Sequence, residues 1–292
     1  LSLDRGGAPD AGVQPATPPP ATPTAQTVLL MGLDAGPGPR ADSVVLARVD
    51  GQGAVNVVSL PRDLQVEIPG VGPGKLNSAY SRAYEAAAGQ DADAAGARAT
   101  VEVVEAFTGV PIDHYAAVEM AGFAELSAAV GGVEVCLRAA VRDEFSGVDL
   151  PAGRQTIQGE QALAFLRQRV GLPHHELDRV TRHQVFLNGL VAKAASVSDP
   201  AKLAPLLELA RSSVHVDPSW DLPEFLRLLA QGPRVRTATI PHDNQVTTEA
   251  GAVLTADQGE VRAFLGDFLT ARPGVTPVPS PGEPTAVDGC VN

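Results

Sequence analysis

The apolar positions of the chain change rhythm along its length. Three early stretches, 27–31, 43–49 and 55–60, are nearly unbroken apolar runs punctuated by Gly and Pro. Such runs predict strands buried on both faces, since a strand with one wet face alternates apolar and polar residues. Three- and four-residue spacing then takes over and predicts helices at 78–88 and 95–107. A strand is expected at 114–120, a helix at 121–129 and a strand at 133–137. Helices follow at 158–170, 178–195, 200–210 and 222–230, then a strand at 235–240 and a closing helix at 256–271. Strands interleaved with helices predict an α/β chain folded as a three-layer α/β/α sandwich.

The two ends lack this patterning. Residues 1–25 are rich in Pro, Ala and Thr and include Pro18, Pro19 and Pro20 in a row, which predicts a disordered linker. Residues 273–292 form a second Pro-rich linker that leads into a short tail containing Cys290. One domain is expected between them, at 26–272. The chain begins at Leu1 rather than Met, as expected of a fragment or a processed form. No run approaches the roughly 18 apolar residues of a membrane span.

Charge narrows the partners. With Lys+Arg 22 against Asp+Glu 34, the net charge is −12, which argues against nucleic acid. The segment from Arg154 to Arg182 runs the other way. Arg154, Arg167, Arg169, Arg179 and Arg182 stand there against Glu160, Glu176 and Asp178. A planar guanidinium donates two parallel hydrogen bonds and stays charged, so the cluster predicts an anion site. For any single arginine, a surface ion pair is the alternative.

Cys136 and Cys290 belong to no CxxC or CxxH pattern, which argues against structural zinc. A free thiol on a polar tail would be exposed, so a Cys136–Cys290 disulfide and an oxidising compartment are expected rather than two free thiols. Several familiar catalytic patterns fail. Gly74-Lys75 is no P-loop end, because Pro69 takes the place of the earlier Gly and Leu76 that of Ser/Thr. His175-Glu176 opens a zinc-protease pattern, but Arg179 occupies the second His position. No G-x-S-x-G elbow is present, and no G-x-G-x-x-G follows a strand.

What survives lies at the strand ends. The first strand runs out in Gly32-Leu33-Asp34, Arg40-Ala41-Asp42-Ser43 opens the second, and the third ends in Leu60-Pro61-Arg62-Asp63. Open α/β sheets gather ligand groups at such ends, so Asp34, Arg40, Asp42, Arg62 and Asp63 are expected at one edge. Two carboxylates among arginines suit Mg2+ and a pyrophosphate, because this ion takes one or two carboxylates and fills its sphere with phosphate oxygen and water. Turn or cap duty is the alternative for Asp34 and Asp42. Farther along, Arg179, His183, Phe186 and Leu190 share one helical face. Cationic first turns and apolar later turns fit a ligand with an anionic head and a greasy tail. They equally fit an ordinary amphipathic helix.

Taken in order, these motifs resemble a known family. Gly32-Leu33-Asp34, Arg40-Ala41-Asp42, Leu60-Pro61-Arg62-Asp63, Lys75-Leu76-Asn77-Ser78-Ala79-Tyr80, Asp113-His114-Tyr115, Gly131-Gly132-Val133, Arg167-Gln168-Arg169 and Asp178-Arg179-Val180-Thr181-Arg182-His183-Gln184 resemble the LytR-CpsA-Psr (LCP) proteins over 27–193. The Cys-Val-Asn ending after an earlier strand cysteine resembles the actinobacterial members.

The resemblance implies a central mixed sheet with an apolar lipid tunnel between sheet and helices. It implies a single N-terminal membrane anchor upstream and a site on the extracytoplasmic face. The implied activity is that of a phosphotransferase, moving a glycopolymer from a polyprenyl-pyrophosphate carrier onto peptidoglycan through a phosphodiester at a muramic acid 6-hydroxyl, with Mg2+. Carried over, Asp34 and Asp42 would hold the metal or orient the hydroxyl, with Arg40 and Arg182 also catalytic. Arg62, Lys75, Arg167, Arg169, Arg179, His183 and Gln184 would bind pyrophosphate, and Phe186 and Leu190 would line the lipid tunnel. Phosphoryl transfer rests on positioning and charge neutralisation, so it needs no side-chain nucleophile. Two departures stand out: the loop between Asp34 and Asp42 is shorter than the family's, and His183 replaces the first of two Gln. A polyprenyl-pyrophosphate hydrolase and a non-catalytic lipid- or polymer-binding module are the competing readings.

Overall fold

The computed structural model describes residues 25–34, 38–89, 91–168, 170–173, 176–196, 208–209, 214–229, 234–243, 245–248, 251–271 and 290–292. The two expected linkers, apart from the tail at 290–292 and residue 25, lie outside these residues. So does nearly all of the helix expected at 200–210.

Gln26–Asp34 (β1), Arg40–Val49 (β2) and Ala54–Leu60 (β3) form an antiparallel meander. Gln65–Ile68 (β4) and Gly72–Lys75 (β5) make a hairpin that leads into Leu76–Ala86 (α1) and Ala92–Thr108 (α2). His114–Glu119 (β6) returns parallel to β1. Met120–Ala129 (α3) follows, then Val133–Leu137 (β7), the small hairpin of Val141–Asp143 (β8) and Val148–Leu150 (β9), and Gly153–Ile157 (β10), which pairs with β7. Gly159–Arg167 (α4), Glu176–Ser196 (α5), Val214–Val216 (β11), Leu222–Leu229 (α6), Arg234–Thr239 (β12), Gln245–Thr248 (β13), Gly251–Leu254 (β14) and Gln258–Thr270 (α7) complete the described elements.

The main sheet has the order β11-β6-β1-β2-β3-β12 and mixes parallel with antiparallel pairs. Helices cover both faces, as the apolar runs predict; all seven residues of β3 are buried. One face sets Leu29, Met31, Leu33, Leu46 and Val58 against Tyr80, Val104, Phe107 and Leu265 of α1, α2 and α7. The other sets Val45, Ala47, Val55 and Val57 against Phe225, Leu228 and Leu229 of α6. Beside it, α3, α4 and α5 close over β7 and β10 in an adjoining core that contains Val133, Ile157, Phe165 and Phe186. Each large apolar side chain buried this way contributes about 1.5–3 kcal/mol.

Helix α5 lies so close to β7 that a Cβ on Gly189 would collide with Val133 Cγ1. Glycine at that position lets the helix reach the strand. The expected Cys136–Cys290 disulfide is present and joins residues 154 apart. It seats Val291 beside β7, where the Val291 amide donates to the Cys136 carbonyl at 2.8 Å and the Arg138 amide donates to the Val291 carbonyl at 2.9 Å. Among the described residues no helix is long and apolar enough to cross a membrane.

Candidate active site

The carboxyl ends of β1, β3 and β6 and the start of β2 meet at one end of the sheet, and the candidate residues gather there. Their aim depends on a local irregularity. Gly32 pairs with Ser43 and Leu33 pairs with Ala41, so the register shifts and Asp42 is the extra residue of a bulge in β2. Such a bulge bends the strand and turns a side chain away from strict alternation. Here Ala41 and Val44 both enter the core beneath the sheet, while Asp42 joins Asp34 in lining a cavity of about 270 Å3 above it. Met120, Asp143, Phe145, Ser146, Leu166, Arg167 and His183 complete the lining.

Asp42 is held at both carboxylate oxygens. Arg62 Nη1 donates to Oδ2 at 2.8 Å, and Asn77 Nδ2 donates to Oδ1 at 3.3 Å. The donors are fixed in turn, because the Arg62 carbonyl accepts from the Asn77 amide at 3.0 Å, pinning the β3–β4 loop to the start of α1. Arg62 Nε lies 3.5 Å from Asp63, whose other oxygen accepts from Lys75 Nζ at 2.7 Å. Asp42, Arg62, Asp63 and Lys75 therefore form one chain of alternating charge, with Arg62 and Lys75 engaged by carboxylates behind the cavity wall. Asp34 is more open; its one ion pair in the described structure is with Arg167 Nη2, at 3.7 Å. Arg40 faces Asp34 across the strand pair and is exposed, outside the lining.

A second, apolar cavity of about 140 Å3 adjoins the first. Leu30, Val45, Val118, Leu126, Phe186 and Leu190 are among its lining, and Met120, Leu166 and His183 line both spaces. The shared helical face expected for His183, Phe186 and Leu190 thus forms a wall between sheet and helices. His183 Nε2 lies 3.1 Å from the Leu166 carbonyl oxygen, so this nitrogen carries the proton and donates it.

Of the arginine cluster, the three described side chains, Arg154, Arg167 and Arg182, do not converge. Arg167 lines the polar cavity, but Arg154 is exposed on β10, opposite Cys136. Arg182, expected among the catalytic groups, is fully buried at 0% exposure and lines neither cavity. Its guanidinium lies 4.6 Å from the Phe165 ring centroid, and its Nη1 donates to the Phe165 carbonyl at 3.2 Å and to Gln168. Its Nε donates to the Asn292 carbonyl, and Asn292 Nδ2 donates to Asp178 at 3.1 Å. Burial pushes the Arg182 pKa down to about 10, opposed by the charge of Asp178, so the group remains protonated at neutral pH. Arg182 acts as a brace that ties α4, α5 and the tail together. We expect Arg182→Ala to lower unfolding stability by about 3 kcal/mol, because the Phe165 and Asn292 carbonyls and the Gln168 side chain then lose their buried donor. Urea denaturation checks this, and a midpoint at the wild-type value would contradict the brace. Arg169 and the side chains of Arg179 and Gln184 lie outside the described residues.

Sequence reasoning missed Met120, Asp143, Phe145, Ser146, Leu166 and the supporting Asn77. The turn-forming pair Ser146-Gly147 between Val141 and Val148 was the one available signal for the hairpin. Asp143 belongs to that turn, accepting from the Phe145 amide at 3.0 Å and from Ser146 Oγ at 2.9 Å. Among the described residues no group of three or more acidic, His or Cys side chains is arranged to hold a metal ion. The hard oxygens of Asp34 and Asp42 still suit Mg2+ if water and phosphate supply its other ligands.

Residues 11–266 match the LytR_cpsA_psr family. The cell wall biosynthesis protein LcpA of Corynebacterium glutamicum is 36% identical over 251 residues, covering 78% of this chain and 48% of LcpA. The polyisoprenyl-teichoic acid–peptidoglycan teichoic acid transferase TagU of Enterococcus faecalis is 32% identical over 202 residues, covering 67% of this chain and 62% of TagU. The chain thus spans only about half to three-fifths of these relatives' length. The crystal structure of Bacillus subtilis TagV aligns with a TM-score of 0.67 at 26% identity, over 86% of this chain and 99% of TagV. Sequence match, relatives and fold agree that the chain belongs to the LytR-CpsA-Psr family.

Proposed function

We propose that the protein transfers a glycopolymer from a polyprenyl-pyrophosphate carrier to peptidoglycan, forming a phosphodiester. The observation that carries this is the pair of adjoining cavities: a polar one holding Asp34, Asp42 and Arg167, and an apolar one reached past Met120, Leu166 and His183. A lipid pyrophosphate has the same two-part character. The name of TagU, a teichoic acid transferase, supports the same class of reaction, and that of LcpA supports a role in cell wall biosynthesis.

In the step, an acceptor sugar hydroxyl attacks the phosphorus that bears the glycopolymer. The new P–O bond forms as the P–O bond to the polyprenyl phosphate breaks, and the polyprenyl phosphate leaves. Asp34 takes the hydroxyl proton, because among the described residues it is approached only by Arg167 at 3.7 Å, whereas Asp42 is held at both oxygens. Arg167 faces the phosphates from the cavity wall, and Arg62 keeps Asp42 oriented. Asp34, Asp42 and Asp143 leave the lining too acidic for a pyrophosphate by itself. Mg2+ held by Asp34 and Asp42 would neutralise that repulsion and polarise the phosphoryl oxygens. The disulfide supports an extracytoplasmic setting, and a membrane anchor upstream of these residues belongs to the same proposal.

Reconstitution tests the reading. Purified protein, a polyprenyl-pyrophosphate oligosaccharide, peptidoglycan oligomers and Mg2+ should give a phosphodiester-linked product by mass spectrometry, and EDTA should suppress it. Release of polyprenyl phosphate without that product would instead identify a hydrolase. Tight lipid binding with no turnover would identify a binding module.

A further inference from the structure

Phe145 is a phenylalanine left in water, 93% exposed, yet it lines the polar cavity. Its position is built rather than loose. The hairpin that carries it is anchored by Val148 and Leu150 in the core shared with α3, α4 and α5. Asp143 is buried and ties the turn together: its carboxylate accepts from the Phe145 amide and Ser146 Oγ, and its carbonyl accepts from the Gly147 amide at 2.9 Å. Gly147 supplies the positive φ of 77° that this turn requires. The fold thus fixes an aromatic face at the rim of the cavity that holds Asp34 and Asp42.

We propose that Phe145 is a stacking platform for a sugar ring of the acceptor glycan. The identity of that glycan rests on the transfer reading above. An aromatic face carries partial negative charge and attracts the polarised C–H groups on the apolar face of a pyranose. A bilayer is the other apolar partner for an exposed Phe, and charge disfavours it. Glu144 and Asp149 beside it outnumber the exposed Arg142 that stands across the hairpin from Asp149, and the chain carries a net −12, so an anionic lipid surface repels this rim. An uncharged sugar meets no such penalty. The arrangement also suits the chemistry, because a ring held at the rim presents its hydroxyl inward, toward the carboxylates.

Calorimetric titration of the whole chain with an uncharged N-acetylhexosamine tetrasaccharide tests this directly. Wild type and Phe145→Trp should bind alike, whereas Phe145→Ala and Phe145→Leu should bind about tenfold more weakly. Melting temperatures should stay unchanged, because the side chain is exposed. Equal binding by Phe145→Ala and wild type overturns the platform, as does absence of saccharide binding in the wild type. Flotation with vesicles of phosphatidylglycerol and phosphatidylcholine forms the second arm. Vesicle binding that depends on Phe145 while saccharide binding does not would make the residue a membrane wedge and overturn the proposal. The transfer assay separates the two readings. Phe145-dependent saccharide binding without phosphodiester product leaves the platform standing and removes transfer. Full transfer by Phe145→Ala with an unchanged acceptor KM does the reverse.

Discussion

Asp42→Asn should slow phosphodiester formation by about 100-fold or more while the fold persists. Removing one preorganised charged group from a site of phosphoryl or acyl transfer typically has an effect of this order. The substitution keeps the shape of the side chain and leaves the bulge in β2 intact. It removes the charge that Arg62 Nη1 holds at 2.8 Å, and it turns one carboxylate oxygen into an amide that points a donor at a neighbouring donor. Arg62 keeps Asp63 at 3.5 Å, but its pair with Asp42 is largely buried, so the cost in stability should be about 1–3 kcal/mol. Single-turnover assays with the lipid pyrophosphate, paired with a thermal melt, separate the two effects. A rate within a few-fold of wild type would remove Asp42 from the chemistry, whatever happens to the melt.

Reduction of the Cys136–Cys290 bond should cost up to about 5 kcal/mol, in the chain-entropy argument for a closed loop of 154 residues. Local losses add to the global one. Without the bond, nothing covalent keeps Val291 in the core beside β7, and Arg182 loses the Asn292 carbonyl as acceptor. For a domain of this size, such a change lowers the melting temperature by roughly 10–20 °C. Calorimetry with and without a thiol reductant checks the value, and Cys290→Ser should reproduce the reduced protein. Equal melting temperatures in all three cases would mean that the tail is held by contacts other than the bond.

Much of the layout could be read from the residues. Continuous apolar runs located β1, β2 and β3 within a few residues at each end, because burial on both faces leaves a clear trace in composition. The strand at Val133–Leu137 fell where the pattern placed it. The short elements did not declare themselves. Three-residue strands such as β8 and β9 carry no period, and β5 reads Gly-Pro-Gly-Lys, a turn by composition that becomes a strand only because β4 offers it partners. At the site, the sequence supplied Asp34, Asp42, Arg167, His183, Phe186 and Leu190. It did not supply the register shift that aims Asp42, since a bulge is a property of two strands together. Nor did it separate Arg167 from Arg182. Both are helical arginines in one cluster, and only tertiary packing decides that one faces a cavity while the other lies against an aromatic ring.

Met120, Leu166 and His183 bound the wet chamber and the dry one at once. For the carrier proposed above, such a partition would work as a ruler. Hydrocarbon would settle on one side and charge on the other, so the junction between them would come to rest at the same depth however long the tail that trails behind. Bond position would thereby be registered from the boundary rather than from either end of the molecule, and one scaffold would accept carriers of different length without resetting the groups around the wet chamber.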